Sequence, residues 1–96
     1  MPGKKPLEWS PRSQRNIESI RDHIAADNPA AAQSVIDAIR RAADGLRNFP
    51  VMGHAGQRLG TRELVLSKYP YTLIYRITPK NIGIVAVMHQ RQKASI

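Results

Sequence analysis

The chain has no cysteine, which excludes disulfides, thiolate catalysis and cysteine-based zinc or iron sites and fits a reducing cytoplasm. No apolar run approaches the roughly 18 residues of a membrane helix, and the opening MPGKKPLEWS has charge without the apolar stretch of a secretion signal. A soluble, cytoplasmic protein without membrane contact is therefore expected. His23, His54 and His89 are far apart and lack a supporting carboxylate pattern, so neither a metal site nor a cofactor is expected. There is no glycine-rich loop leading into a helix, no usefully spaced pair of carboxylates and no serine or cysteine nucleophile motif.

Acid is scarce in one half only. Residues 1–48 carry 8 Lys and Arg against 6 Asp and Glu, whereas residues 49–96 carry 7 against 1, the single acid being Glu63. Most of the net charge of +8 thus belongs to the second half. Clustered cations steer and hold anions, so this asymmetry points to a phosphate-rich or acidic partner; a basic face that only solubilises the chain would have the same composition. Ninety-six residues, 42% of them hydrophobic, suffice for one domain with a real core, expected to span 1–96 with loose ends at 1–5 and 92–96.

Several local signals set the element order. Leu7 and Trp9 alternate in a short strand that stops at Ser10-Pro11, an N-cap followed by proline at the first helical position. Ile17, Ile20 and Ile24 then recur at spacings of three and four, giving an amphipathic helix. Asn28-Pro29 repeats the cap and forces a second, antiparallel helix carrying Ala32, Val35 or Ile36, Ile39, Ala43 and Leu46 at helical spacing, ended by Asn48 and Pro50. Glycines at 53, 56 and 60 mark a loop containing His54, read as a surface histidine.

Three strand-like runs follow, Glu63–Ser67, Tyr71–Thr78 and Ile82–His89, with a turn at Pro79-Lys80-Asn81. Both faces of the middle run are at least half apolar, which places it inside the sheet. Strict alternation in the last run groups Ile82, Ile84, Ala86 and Met88 against Gly83, Val85, Val87 and His89. The predicted fold is α+β: an N-terminal strand at a sheet edge and an antiparallel two-helix hairpin packed on a small antiparallel sheet.

One set of residues has the composition of a site: Arg58, Arg62, Lys68, Arg76, His89, Arg91 and Lys93. Arginine forks hold phosphate or carboxylate, and a histidine can move a proton, so His89 with Arg62, Arg76 and Arg91 could activate a 2′-hydroxyl and cleave RNA. The same cations would also serve a sheet that simply binds an acidic partner. Taken singly, Arg76 could be a strand residue with a packed stem, and Arg91 a solvated charge.

The order helix, Asn28-Pro29, helix, Phe49-Pro50 and glycine loop, then Thr61-Arg62-Glu63-Leu64-Val65, Pro70-Tyr71, Leu73-Ile74-Tyr75-Arg76 and Ile84-Val85-Ala86-Val87-Met88-His89, resembles the ParE branch of the RelE/ParE toxin superfamily. The likeness runs over roughly residues 7 to 93. It implies a growth-inhibiting toxin of a type II toxin-antitoxin system, neutralised by a ParD-like antitoxin in a hetero-oligomer that binds operator DNA through the antitoxin. ParE-branch members are linked to DNA gyrase poisoning, whereas RelE-branch members cleave messenger RNA on the ribosome. RNA-cleaving relatives commonly have a basic residue after the aromatic of the third strand, where this chain has Thr72, and His89 is followed here by Gln90 and Arg91. The resemblance therefore favours inhibition by binding over an enzyme, with the basic set as target surface and no assured catalytic residue. An acidic antitoxin segment that folds on binding is expected to lay a helix in an exposed apolar groove near Ile17, Ile20, Ile24, Val35 and Ile39. The competing readings are a RelE-like endoribonuclease and a non-toxic basic binding module.

Overall fold

The computed structural model describes residues 5–91. Of the expected loose ends at 1–5 and 92–96, residues 1–4 and 92–96, Lys93 among them, lie outside the described residues, whereas Lys5 is held, its Nζ donating to Thr78 O and its carbonyl accepting from Arg47 Nε. The chain forms β1 (Leu7–Trp9), α1 (Pro11–Ala25), α2 (Pro29–Gly45), β2 (His54–Ala55), β3 (Arg62–Val65), β4 (Tyr71–Ile77) and β5 (Ile82–His89).

Both helices start where the caps require. Ser10 Oγ accepts the N–H of Ser13 at 3.0 Å while Ser13 Oγ donates to Ser10 O at 2.8 Å, and Asn28 Oδ1 accepts the N–H of Ala31 at 3.1 Å. Each side-chain acceptor satisfies an N–H that the first helical turn leaves without an internal partner. Proline follows each cap because its missing N–H costs nothing there.

The five strands lie in the order β1-β5-β4-β3-β2, with β4 at the centre, as its two apolar faces require. β1 runs parallel to β5, and the other neighbours are antiparallel. The two-residue β2 falls in the expected glycine loop, too short to show an alternation pattern, and pairs His54 with Glu63. The helical hairpin covers one face of the sheet, where Ile36, Ile39, Ala43 and Leu46 of the α2 segment meet Tyr71, Leu73, Tyr75, Ile82, Ile84 and Val87 in one cluster. Burying an isoleucine or leucine side chain fully contributes about 1.5–3 kcal/mol, and α2 supplies more of the buried cluster residues than α1 does. α1 sends only Ile17 and Ser13 fully inward and packs chiefly on α2 and β5.

Two expectations are corrected here. Ile17, Val35 and Ile39 are 6%, 5% and 0% exposed and belong to the core, so no open groove runs across them; only Ile20 and Ile24 stay partly accessible. The sheet, not a partner, takes the apolar stripe of the hairpin. The strict alternation of β5 also fails. Ile74 pairs with Ala86 but Tyr75 pairs with Ile84, leaving Val85 as an extra, bulged residue. Past the bulge the side chains change face, so Ile82, Ile84, Val87 and His89 all share the helix-covered side. The bulge is held from α1: Ser10 N–H bonds Ile84 O at 3.0 Å, Ser10 Oγ donates to Val85 O at 2.8 Å, and Val87 N–H donates to Asn16 Oδ1 at 3.0 Å.

Candidate functional site

The basic residues of the second half fall into two groups. At the β2–β3 end, Arg62 lies beside Tyr75 in register, and its Nη2 donates to the carbonyls of Val51, at 3.1 Å, and Gly53. Tyr75, fully buried, reaches the same loop: its hydroxyl donates to Pro50 O at 2.6 Å and accepts the N–H of Gly53 at 3.1 Å. Arg62 and Tyr75 therefore clamp residues 50–53 against the sheet. Gly53 is required at this point because an added Cβ would lie 2.4 Å from the carbonyl oxygen of Glu63.

Arg76 is exposed on the opposite face of β4 and approaches Gly60, whose φ of 81° needs glycine. Arg58 is also exposed, and its carbonyl anchors the turn by accepting the N–H and the hydroxyl of Thr61 at 3.1 and 2.6 Å. Glu63, 2% exposed, shares the face of Ile74 and accepts the N–H of Gln57 at 3.1 Å through Oε2, tying the loop down.

At the other end, Lys68 stands exposed in the β3–β4 turn with Nζ 5.7 Å from the centre of the Tyr69 ring, a cation–π contact. His89 meets Tyr71 edge to face, with ring centres 5.4 Å apart and planes at 84°. The N–H of Arg91 donates to His89 Nδ1 at 3.1 Å, so the neutral ring carries its proton on Nε2. His89 and Arg91, with Tyr71 and Val87, form one wall of an open cleft of about 540 Å³; Asn16, Ser19, Ile20 and His23 of α1 form the other. Burial raises the Tyr71 phenol above its ordinary value of 10.0, so it stays protonated at neutral pH.

The set suited to RNA cleavage is thus not assembled. His89 pairs with Tyr71 and Gly83 with Arg76, six positions apart on β5, a separation of roughly 20 Å at about 3.3 Å per residue. Arg62 is engaged by two backbone carbonyls, and only His89 and Arg91 share a cleft. Of the α1 wall only Ile20 was among the expected site residues, as part of the apolar groove; Asn16, Ser19 and His23 were not. Its signal was available: Asn16, Ser19 and His23 follow the helical period and mark one polar stripe beside the apolar one that holds Ile20.

A second concavity is apolar and lies between α2 and β3, with Ala38, Ala42, Met52, Leu64, Val65 and Leu66 in its walls. Phe49, Val51 and Met52, 66%, 70% and 51% exposed, lead from the end of α2 toward it. Among the described residues no three His, Asp or Glu side chains come together in a metal-binding group, and no helix is long and apolar enough to cross a membrane.

A capped helical hairpin on a five-stranded mixed sheet, with a basic cleft at one end, makes this a small α+β domain. The family model for the ParE toxin of type II toxin-antitoxin systems matches residues 7–94, and the chain belongs to this family. Y4kP of Sinorhizobium fredii is 38% identical over 90 residues, which cover 94% of this chain and 93% of that protein. Toxin RelE2 of Caulobacter vibrioides is 34% identical over 84 residues, covering 84% and 90%. The fold matches that of a chain from the chromosomal ParDE system of P. aeruginosa with a TM-score of 0.81 at 21% identity, over 90% of this chain and 96% of the other.

Proposed function

We propose that this toxin arrests growth by binding DNA gyrase and not by cleaving RNA, and that a ParD-like antitoxin neutralises it by direct contact. The observation that carries the reading is the state of Arg62. A transition-state cation must face the reacting phosphate, and electrostatic contacts of that kind supply a large share of an enzyme's rate enhancement. Nη2 of Arg62 is committed to the carbonyls of Val51 and Gly53, and Arg76 occupies the opposite face from His89 at the far end of the strand. Binding needs no such convergence. Arg58, Lys68, Arg76 and Arg91 are exposed and able to contact a target, with His89 at the cleft edge and Lys93 extending the set in sequence.

For the antitoxin, the accessible apolar surface is the groove around Met52 and Val65, continued by Phe49 and Val51, in place of the buried hairpin stripe. An exposed apolar patch of this kind rimmed by Lys68 suits a segment that combines apolar anchors with acids. Such an antitoxin would bring the pair to operator DNA, and the toxin would act in the cytoplasm.

The test is expression of the chain without its antitoxin, followed by growth, plasmid supercoiling and transcript 5′ ends. The expected result is growth arrest with disturbed supercoiling and intact transcripts. Cleaved transcripts with normal supercoiling would replace this reading with the ribonuclease one, and unimpaired growth would leave a non-toxic binding module.

A further inference from the structure

The cleft between α1 and the end of β5 has a wall chemistry of its own. Val87 N–H can bond only an oxygen, so its contact fixes Asn16 with the carbonyl toward β5 and leaves the amide NH₂ as the group that can serve the cleft. The Tyr71 phenol remains protonated, and Arg91 is a permanent donor. Ser19 and His23 complete the α1 wall one and two turns along. Among the described residues no carboxylate lines the cleft: of the two acids of α1, Glu18 lines the separate cleft beside Trp9 and Arg40, and the exposed Asp22 lines neither. A concavity whose described lining offers donors and no acid suits an anion.

Its floor narrows the choice of anion. Ile20, Val87 and the edge of Tyr71 give apolar surface below the donors, which accommodates the methylenes of a glutamate. A phosphodiester strand carries a charge on every nucleotide and calls for a continuous cationic track. Here Arg62 and Arg76 stand at the opposite end of the sheet, and among the described residues Arg91 is the one Lys or Arg that lines the cleft, which makes it a local anion site.

We infer that this cleft is a receptor for a glutamate or aspartate side chain of an acidic protein segment, held by Arg91 and His23 with Asn16 and Ser19 as neutral donors. The inference rests on the reading of an acidic antitoxin and adds a second anchor to the apolar groove, on the other side of the hairpin. It makes α1, through Asn16 and His23, part of a binding site that residues of the second half alone do not complete.

The experiment is an amide NMR titration of the full chain with hexaglutamate, with hexaglutamine, hexathymidylate and inorganic phosphate as comparisons at constant ionic strength. Saturable shifts confined to residues 16–23 and 85–91, absent with hexaglutamine, are expected. Because both residues are exposed, Arg91→Gln and His23→Gln should keep the wild-type spectrum elsewhere while each weakens hexaglutamate binding at least fivefold. Shifts spread equally over Arg58, Lys68 and Arg76, or no saturation, would overturn the site. Tighter binding of hexathymidylate or phosphate than of hexaglutamate in the cleft would overturn the carboxylate assignment. Growth arrest on expression is measured without any partner, so failure of this site and failure of the proposed function give different results.

Discussion

The side-chain oxygen of Asn16 accepts the backbone N–H of Val87 at 3.0 Å, across 71 residues of sequence. This contact and the two from Ser10 hold the β5 bulge, and the bulge puts His89 on the same side of the sheet as α1. Helix capping and the make-up of the cleft are consequently one structural problem.

Asn16→Ala removes the acceptor and leaves the half-buried Val87 N–H without a partner, which costs about 1–3 kcal/mol. Urea denaturation should register this loss, and the amide shifts of residues 85–89 should move. Asn16→Asp keeps an acceptor and should retain most of the stability while weakening hexaglutamate binding, because it places an acid in the cleft. Equal stability of the alanine variant and wild type would mean that the bulge does not need Asn16.

Tyr75→Phe deletes the hydroxyl that joins Pro50 O to the N–H of Gly53 in a buried position. A loss of about 1–3 kcal/mol is expected. Hydrogen exchange should locate the damage, with faster exchange at residues 50–55 than in β4. Uniform acceleration through the sheet would show that the clamp is not local.

Gly53→Ala forces a methyl carbon to within 2.4 Å of the Glu63 carbonyl oxygen, a backbone atom that cannot turn away. Overpacking of this kind costs typically about 1–3 kcal/mol. Thermal unfolding of Gly53→Ala beside Gly45→Ala is the appropriate comparison, because a Cβ at Gly45 meets only the end of the Met52 side chain at 3.8 Å. The first should fall well below the second.

Alkaline stability should carry a contribution from Tyr71. Burial favours the neutral phenol, so the folded-state value lies above the unfolded one near 10.0. The contribution is complete below pH 10 and declines as the pH rises from there through the raised value, since the unfolded chain loses its proton first. Absorbance at ~295 nm in an alkaline titration should therefore lose its late component in Tyr71→Phe, whose stability should fall less steeply above pH 10. An unchanged titration curve would contradict the burial argument.

Much of the fold was legible locally. Ser10-Pro11 and Asn28-Pro29 announce helix starts through their own side chains, and the two apolar faces of Tyr71–Ile77 announce the central strand. The site was less legible. Arg62 and Arg76 look alike in sequence, yet one is tied to the 50–53 loop and the other is exposed on the opposite face, a difference set by a loop folding back on the sheet. The acid Glu63 is likewise committed to the β2–β3 connection through Gln57.

The sequence by itself determined the element order, the capped hairpin, the core-forming stripes and the basic imbalance, because caps and periodicities depend on neighbours within a few residues. Only the tertiary structure decided which side of the sheet His89 occupies and which cations can meet. Period-two alternation holds until a bulge interrupts it, and this bulge is anchored by Ser10 and Asn16, more than 70 residues earlier in the chain.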